Sequence, residues 1–307
     1  MQNQRFYSLN NFLRTRHGEK VIKLSIDGGF TCPNRDGRVS TKGCLFCSAQ
    51  GSGDFTPSKQ GAITRQLESA ISLLSKKWGD SKKYIAYFQS YSNTYAPLEV
   101  LKAKYEEALA FPGVVGLAIA TRPDCLDDEI IAYLAELNTR THLWVELGLQ
   151  TIHEETAQLI NRAYPLSCFE EAVQKLHAKN IETVVHLILG LPHESHSQML
   201  ESAQYISKLP LQGVKLHMLH ILDNAPLGKY YLNNPFPILS EEEYITLIGD
   251  ILSILPPNFV IHRLTGDGPA AHLIEPLWTK NKKKVLNDMN HYLKDADIYQ
   301  GKSLNIY

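Results

Sequence analysis

FTCPNRDGRVSTKGCLFCSAQGSGDF, residues Phe30–Phe55, carries three of the chain's five cysteines, Cys32, Cys44 and Cys47, spaced C-x11-C-x2-C. A Cys-x-x-Cys pair points two thiolates at one centre, and a third returned by a loop completes a face of three sulfurs. The loop between them suits that return: Pro33, Asn34, Asp36, Gly37 and Gly43 favour turns, and Gly43 is placed to take a positive φ just before Cys44. Three thiolates leave one metal position without a protein ligand. For zinc, the fourth ligand is a distant His or a water. For a 4Fe–4S cluster, one iron stays open to a substrate or cofactor. Spacing alone leaves both metals open, with ordinary buried or free thiols as the plain alternative.

Outward from this stretch the chain alternates. Val21–Asp27 (VIKLSID) reads as a first strand that feeds the cysteine loop. Ala62–Trp78 has the apolar spacing of an amphipathic helix, Tyr84–Phe88 (YIAYF) is a buried strand, and Leu98–Phe111 is helical. Val114–Ala120 (VVGLAIA) is a nearly continuous apolar strand, as expected where both faces are covered. A helix to Leu137, capped by Asp127 or Asp128, precedes the strand Leu143–Leu149; helices at Glu154–Asn161 and Cys168–Lys179 and the strand Thr183–Leu189 come next. Ser195–Leu209 reads as helix, Val214–Leu222 as strand, Glu241–Leu255 as helix and Phe259–Leu264 as a last strand, before a lysine-bearing helix over Thr279–Leu293. With no Gly/Ser-rich linker and no repeat of fixed period, this order predicts one parallel α/β domain. At 307 residues the chain has room for a (β/α) barrel, which reaches about 250 residues as one unit.

A composition of 44% hydrophobic and 21% charged residues is that of a globular core rather than a disordered chain. The net charge of −1 gives no whole-chain attraction to nucleic acid or membrane, so any such partner must meet a local patch. The first twenty residues lack the apolar run of a signal peptide, and no stretch approaches about 18 consecutive apolar residues. A cytoplasmic protein is expected, in which thiols stay reduced and clustered cysteines mean metal or redox chemistry more often than disulfides.

In parallel α/β folds chemistry sits where strands end. Those ends carry, in order, the cysteines, Gln89–Thr94, Thr121–Asp124, Glu146–Thr151, His186–Pro192, Lys215–His220 and Arg263–Asp267. Each has a bland reading alone, as a turn or a satisfied core histidine; together they predict one shared mouth. Glu146 and Gln150 are four apart, hence on one strand face, and suit the hydroxyls and amines of a small ligand. The alternative is that Glu146 pairs with a buried cation, Arg122 or Arg162 among the candidates.

CPNRDG…GCLFC, FQSYSNTYAP, ATRPDCL, VELGLQTIHEETAQLINRAY and HLILGLPHES together resemble the radical S-adenosylmethionine (radical SAM) superfamily. The likeness runs from about Lys23 to Asp267 and is to its Elongator-catalytic-subunit-like branch, within that the bacterial YhcC/YtqA family. The cysteine spacing departs from the commoner C-x3-C-x2-C and resembles the lengthened first interval of this branch. The resemblance implies an α/β fold, a partial (β/α)6-type barrel over residues 21–268, with an N-terminal extension (1–20) and a C-terminal helical extension (269–307). It implies that Cys32, Cys44 and Cys47 hold a 4Fe–4S cluster whose open iron chelates the methionine part of S-adenosyl-L-methionine (SAM). It places Phe46 near adenine, Gln89, Ser92, Asn93 and Thr94 at the methionine amino group, and Thr121 and Arg122 at the third strand end. Glu146 and Gln150 would serve the ribose and carboxylate, Arg162 the SAM carboxylate, and His186, Gly190 and Leu191 the adenine.

For the substrate, the branch points to tRNA and the side chain of a wobble uridine. Only about forty residues follow Asp267, so remodelling of an existing side chain, such as carboxymethylaminomethyl to aminomethyl, is expected rather than acetyl transfer. Cys125 and Cys168 are too few for the second cluster that methylthiolation needs. Basic segments Arg14–Lys20 and Lys280–Lys284 are candidate phosphate contacts or plain solvated faces. His262, Arg263 and Asp267 are the candidates for substrate contact or proton handling. The implied partners are tRNA and a flavodoxin- or ferredoxin-type electron donor. The rival readings are a radical SAM enzyme acting on a small metabolite and a zinc-stabilised nucleic-acid-binding protein.

Overall fold

The apolar runs become the staves of a curved parallel sheet. The computed structural model describes residues 4–51, 53, 61–78 and 81–304, so Ser52, Asp54 and Phe55 of the cysteine stretch lie outside the described residues. Helix α1 (Leu9–His17), capped by Ser8 Oγ and ended by Gly18 at φ 76°, leads into β1 (Val21–Ile26). After the cysteine loop come α2 (Ile63–Trp78), β2 (Lys83–Phe88), α3 (Leu98–Ala110), β3 (Val114–Thr121), α4 (Asp128–Arg140) and β4 (His142–Gln150). Then follow α5 (Glu154–Leu159), α6 (Leu166–Ala178), β5 (Glu182–Leu189), α7 (His196–Ile206), β6 (Gly213–Met218) and β7 (Ile221–Leu222). The chain continues through α8 (Pro226–Asn233), α9 (Glu241–Ile254), β8 (Val260–Arg263), β9 (Leu273–Glu275) and α10 (Lys282–Asp295).

Among the described residues seven strands pair in parallel in the order β1-β2-β3-β4-β5-β6-β8. Parallel pairing requires crossovers, and helices supply most of them, which buries the outer face of the sheet. On β4 the odd residues Leu143, Val145, Leu147 and Leu149 join the outer core, while Trp144 and Glu146 turn inward. The period-two pleat thus sorts one continuous apolar run into a packed face and a lumen face.

The N-terminal end of the lumen is plugged. Leu13 of α1 is 2% exposed and packs with Val21, Ile85, Tyr87, Ala118, Ala120, Trp144 and Val184. The N-terminal helix is therefore part of the core, not a free solvated arm. The Oε2 of Glu182 accepts from His142 Nε2, whose Nδ1 lies 3.1 Å from His17 Nε2, and Arg16 closes the chain on Glu182 at 2.8 Å. A carboxylate only accepts, so His142 carries its proton on Nε2 and receives the N–H of His17 on Nδ1.

Two expectations are corrected. The run Val214–Leu222 is two elements: β6 ends at Met218, and Ile221–Leu222 leaves the sheet to pair antiparallel with β9. Both parts are buried, so hydropathy alone shows no break. The helix over Glu154–Asn161 stops at Leu159, because Asn161 and Ala163 take φ of 54° and 61°.

Candidate active site at the barrel mouth

The cysteine loop leaves β1 and folds over the C-terminal strand ends. Turns at Cys32 (Arg35 N–H to Cys32 O, 2.8 Å) and Cys44 (Cys47 N–H to Cys44 O, 3.1 Å) set the spacing. Gly43 has φ 70°, and a Cβ there would meet Arg35 at 3.0 Å, so the turn before Cys44 needs glycine. The loop is latched from both sides. Asn34, fully buried, donates to the carbonyl of Asn161 (2.8 Å) and to Cys44 Sγ (3.5 Å), while Asn161 donates back to Gly43 O (2.7 Å). Arg35 donates to the carbonyls of Cys47 and Ser48 at 2.8 and 2.7 Å.

The three thiols share one electrostatic environment. Burial, then Cys47 and Cys32, push the Cys44 thiol up to about 12, with Arg122 and the Asn34 hydrogen bond pulling the other way. Among the described residues no three His, Cys, Asp or Glu side chains close on a single ion. The loop holds its thiols within mutual electrostatic reach, Cys47 and Cys32 both acting on Cys44. Next to them the β2–α3 loop holds buried polar atoms without a protein partner, Ser90 Oγ and Asn93 Oδ1, and Asn34 Oδ1 is a third. Such atoms are costly unless a ligand meets them, so the mouth fits a polar cofactor set on the thiols.

The other expected ligands fall into two groups. Phe46 packs in one apolar cluster with Ile188, Leu191 and Leu219, so the adenine candidates Phe46 and Leu191 do come together. Gly190, at φ 85°, makes the turn that sets Leu191 there. Gln89 binds the β1 end through its backbone N–H, 3.2 Å from Ile26 O, and Ser92 N–H reaches Thr31 O at 3.2 Å, tying this loop to the cysteines. Gln150, at φ 65°, folds over Gly148, where a Cβ would lie 2.5 Å from its amide nitrogen, and accepts from Tyr164 at 3.2 Å. Arg122 faces Tyr164 at 4.8 Å, holds Asp124 through two bonds and donates to Arg162 O at 3.0 Å.

Several candidates are already spent on the protein itself. Arg162 is fully buried, and its guanidinium goes to the carbonyls of Leu149, Thr151 and Tyr164 and to Glu154, so it clamps the loop rather than facing a carboxylate ligand. Thr94 and Thr121 bond each other at 2.6 Å, and Thr94 also meets Cys125 O. Glu146, expected at the ribose, is 0% exposed; Lys23 (3.0 Å) and Trp144 (2.9 Å) take one oxygen, His186 (2.9 Å) and Lys215 the other. Burial alone would raise its pKa, but Lys215, Lys23 and His186 hold it well below the usual carboxylate range. His186 belongs to this buried network, pushed down to about 4 by burial and Lys215. His262 is corrected too: it points to the base of the lumen, 3.0 Å from Gln212 and edge-on to Trp144. The register shift between Val214 and Lys215 sets Arg263, not His262, opposite Lys215. Asp267 pairs with Lys282 and lies 3.9 Å from Arg263. Asn34 and Asn161 carry no signal in the sequence beyond the turn-prone NRDG and NRAY.

Residues 34–206 match the Radical SAM superfamily, and residues 211–295 the Radical_SAM C-terminal domain. The chain belongs to the radical SAM superfamily, whose cofactors are a 4Fe–4S cluster and SAM, so the zinc reading gives way. Over 97% of its length it is 49% identical to the uncharacterized protein YtqA of Bacillus subtilis, of which it covers 92%, and this sets it in the YhcC/YtqA family. It is 26% identical to the tRNA uridine(34) acetyltransferase of Dehalococcoides mccartyi over 52% of this chain and 35% of that one. The fold is similar to that of the archaeal Methanocaldococcus infernus Elp3, with a TM-score of 0.69 and 18% identity, covering 91% of this chain. The chain spans 64% of that structure's length. Among the described residues no helix is long and apolar enough to cross a membrane.

Proposed function

We propose that this radical SAM enzyme cleaves SAM reductively and remodels the side chain of a tRNA wobble uridine, such as carboxymethylaminomethyl to aminomethyl. Cys32, Cys44 and Cys47 are the cluster ligands in this reading. When bound, the cluster and SAM together supply the carbon radical that abstracts a substrate hydrogen, with an electron from a flavodoxin- or ferredoxin-type donor. The chain's own residues hold and shield. Ser90 and Asn93 offer acceptors to the methionine ammonium, Phe46 and Leu191 flank adenine, and the Asn34–Asn161 latch keeps the loop closed over the lumen.

One observation carries this reading: three thiols gathered at the strand ends beside buried polar atoms that the protein leaves without partners. The tRNA part is supported by the likeness to a tRNA uridine(34) acetyltransferase. It is also supported by exposed Arg38 and Lys42 on the cysteine loop and by Lys282, which meets Asp267 at the end of β8. Arg14, Arg16 and Lys20, by contrast, flank the plugged base, at the opposite end from the thiols. Nucleoside profiling of tRNA from a strain lacking the gene tests the proposal. The expected result is a missing or shifted wobble-uridine nucleoside, with that tRNA, and no small metabolite, stimulating 5′-deoxyadenosine formation by the anaerobic enzyme. A tRNA profile identical to the parent's overturns it.

A further inference from the structure

Beneath the mouth the lumen gathers basic side chains around one buried carboxylate. Lys23 and Lys215 both reach Glu146, and the Arg263 guanidinium acts on Tyr87, Lys215 and His217 from β8. Among the described residues the Arg263 guanidinium makes no hydrogen bond; it pairs at 3.9 Å with Asp267, which is also bonded to Lys282. Lys23, Lys215 and the Arg263 guanidinium thus stand around the Glu146 carboxylate, with Asp267 as the outer ion-pair partner of Arg263 and burial holding Lys215 well below the usual lysine range. Lys215 is also held by Tyr87 Oη at 2.8 Å, so it cannot swing out to solvent for a counter-ion.

Two imidazoles sit at the top of this network, His186 on β5 and His217 on β6, with ring centroids 5.0 Å apart. His217 Nε2 is shielded from solvent and has no partner. His186 is bonded to the Glu146 carboxylate through Nε2, so Nε2 carries the proton and Nδ1 is left as an acceptor. A lysine as deeply placed as Lys215 and a half-buried arginine beside it favour an anion between them. A guanidinium and an unpartnered imidazole nitrogen beside a free acceptor match a carboxylate carried next to an amine N–H.

We infer that the lumen below the thiol loop is a carboxylate subsite for the substrate, with Arg263 and His217 as its contacts, Lys215 as the charge beneath, and His186 Nδ1 as acceptor for an adjacent amine. A carboxymethylamino group has this chemistry. The tRNA setting rests on the function proposed for the enzyme; the subsite stands on its own charges.

Histidine-ring NMR of the full chain with N-methylglycine as a small carboxylate probe, against glycinamide, which keeps the amine and replaces the carboxylate by a neutral amide, tests the subsite directly. N-methylglycine is expected to shift the His217 and His186 signals saturably and glycinamide not, with the apparent affinity lowered at least tenfold in Arg263→Gln and partly restored in Arg263→Lys. Equal shifts from both probes, no shift, or an unchanged affinity in Arg263→Gln overturns the assignment. Arg263 is partly exposed and makes no hydrogen bond among the described residues, so this variant is expected to fold; Lys215→Met provides a second loss of charge with the same predicted outcome. A second arm uses anticodon stem-loops bearing carboxymethylaminomethyl- or aminomethyl-uridine. Tighter binding of the first, lost in Arg263→Gln, supports both readings. If neither stem-loop binds while N-methylglycine does, the subsite stands and the tRNA reading fails.

Discussion

The two ends of the barrel use the same residue types to opposite purposes. At the base, His17, His142, Glu182 and Arg16 form a closed chain above the plug of Leu13. The base atoms without partners, Gln212 Nε2 and His262 Nδ1, sit on a pair already bonded to each other. At the mouth, Ser90, Asn93 and Asn34 leave buried oxygens unmet beside three thiols, and Tyr91 and Gln150 hold positive φ values that side chains adopt only under constraint. Residue type alone does not mark the mouth; buried oxygens without partners, clustered beside the thiols, do.

The largest effect should come from the mouth. Cys44→Ala is expected to abolish cluster binding and SAM cleavage while leaving the far-ultraviolet circular dichroism unchanged; SAM cleavage retained by that variant contradicts the ligand assignment. At the base the reverse holds. Leu13→Ala should cost about 3 kcal/mol of stability, as burial of a leucine plus its cavity implies, and lower the melting temperature without altering turnover per cluster-loaded molecule. A loss of turnover at constant cluster content would erase the distinction between the two ends.

The lumen between them should show in the pH dependence. Folding holds His186 at about 4, below its ordinary value of about 6.5, so the unfolded chain takes the proton first. Its contribution is full above about 6.5 and is lost as pH falls toward 4, at most about 3 kcal/mol. His186→Gln keeps a donor to Glu146 and removes the titration, so its denaturant midpoint should fall less steeply over this range. The smallest effect is expected from the latch: Asn34→Ala should cost about 1–2 kcal/mol and be seen mainly as faster iron loss to a chelator. Chelation kinetics matching the parent's would show that the latch does not hold the loop.

Much of the architecture is readable from hydropathy because parallel strands buried on both faces, such as Val114–Thr121, are long apolar runs. The cysteine loop is readable because metal-ligand spacing is local. What sequence does not reveal is where a buried charge spends itself. Arg162 reads like a ligand for a carboxylate, yet three carbonyls and Glu154 take its donors through a loop that only the fold brings near. Glu146 finds Lys23 and Lys215 across 123 and 69 residues of chain. Helix α8, which begins at a proline, and the three residues of β9 are too short to carry a period of their own.

Electron paramagnetic resonance of the anaerobically purified, dithionite-reduced protein, with and without SAM, bears most directly on the thiol loop. A cluster held by Cys32, Cys44 and Cys47 alone should give a 4Fe–4S signal that changes when SAM occupies the fourth iron. A signal indifferent to SAM, or a colourless protein holding one zinc, would contradict it.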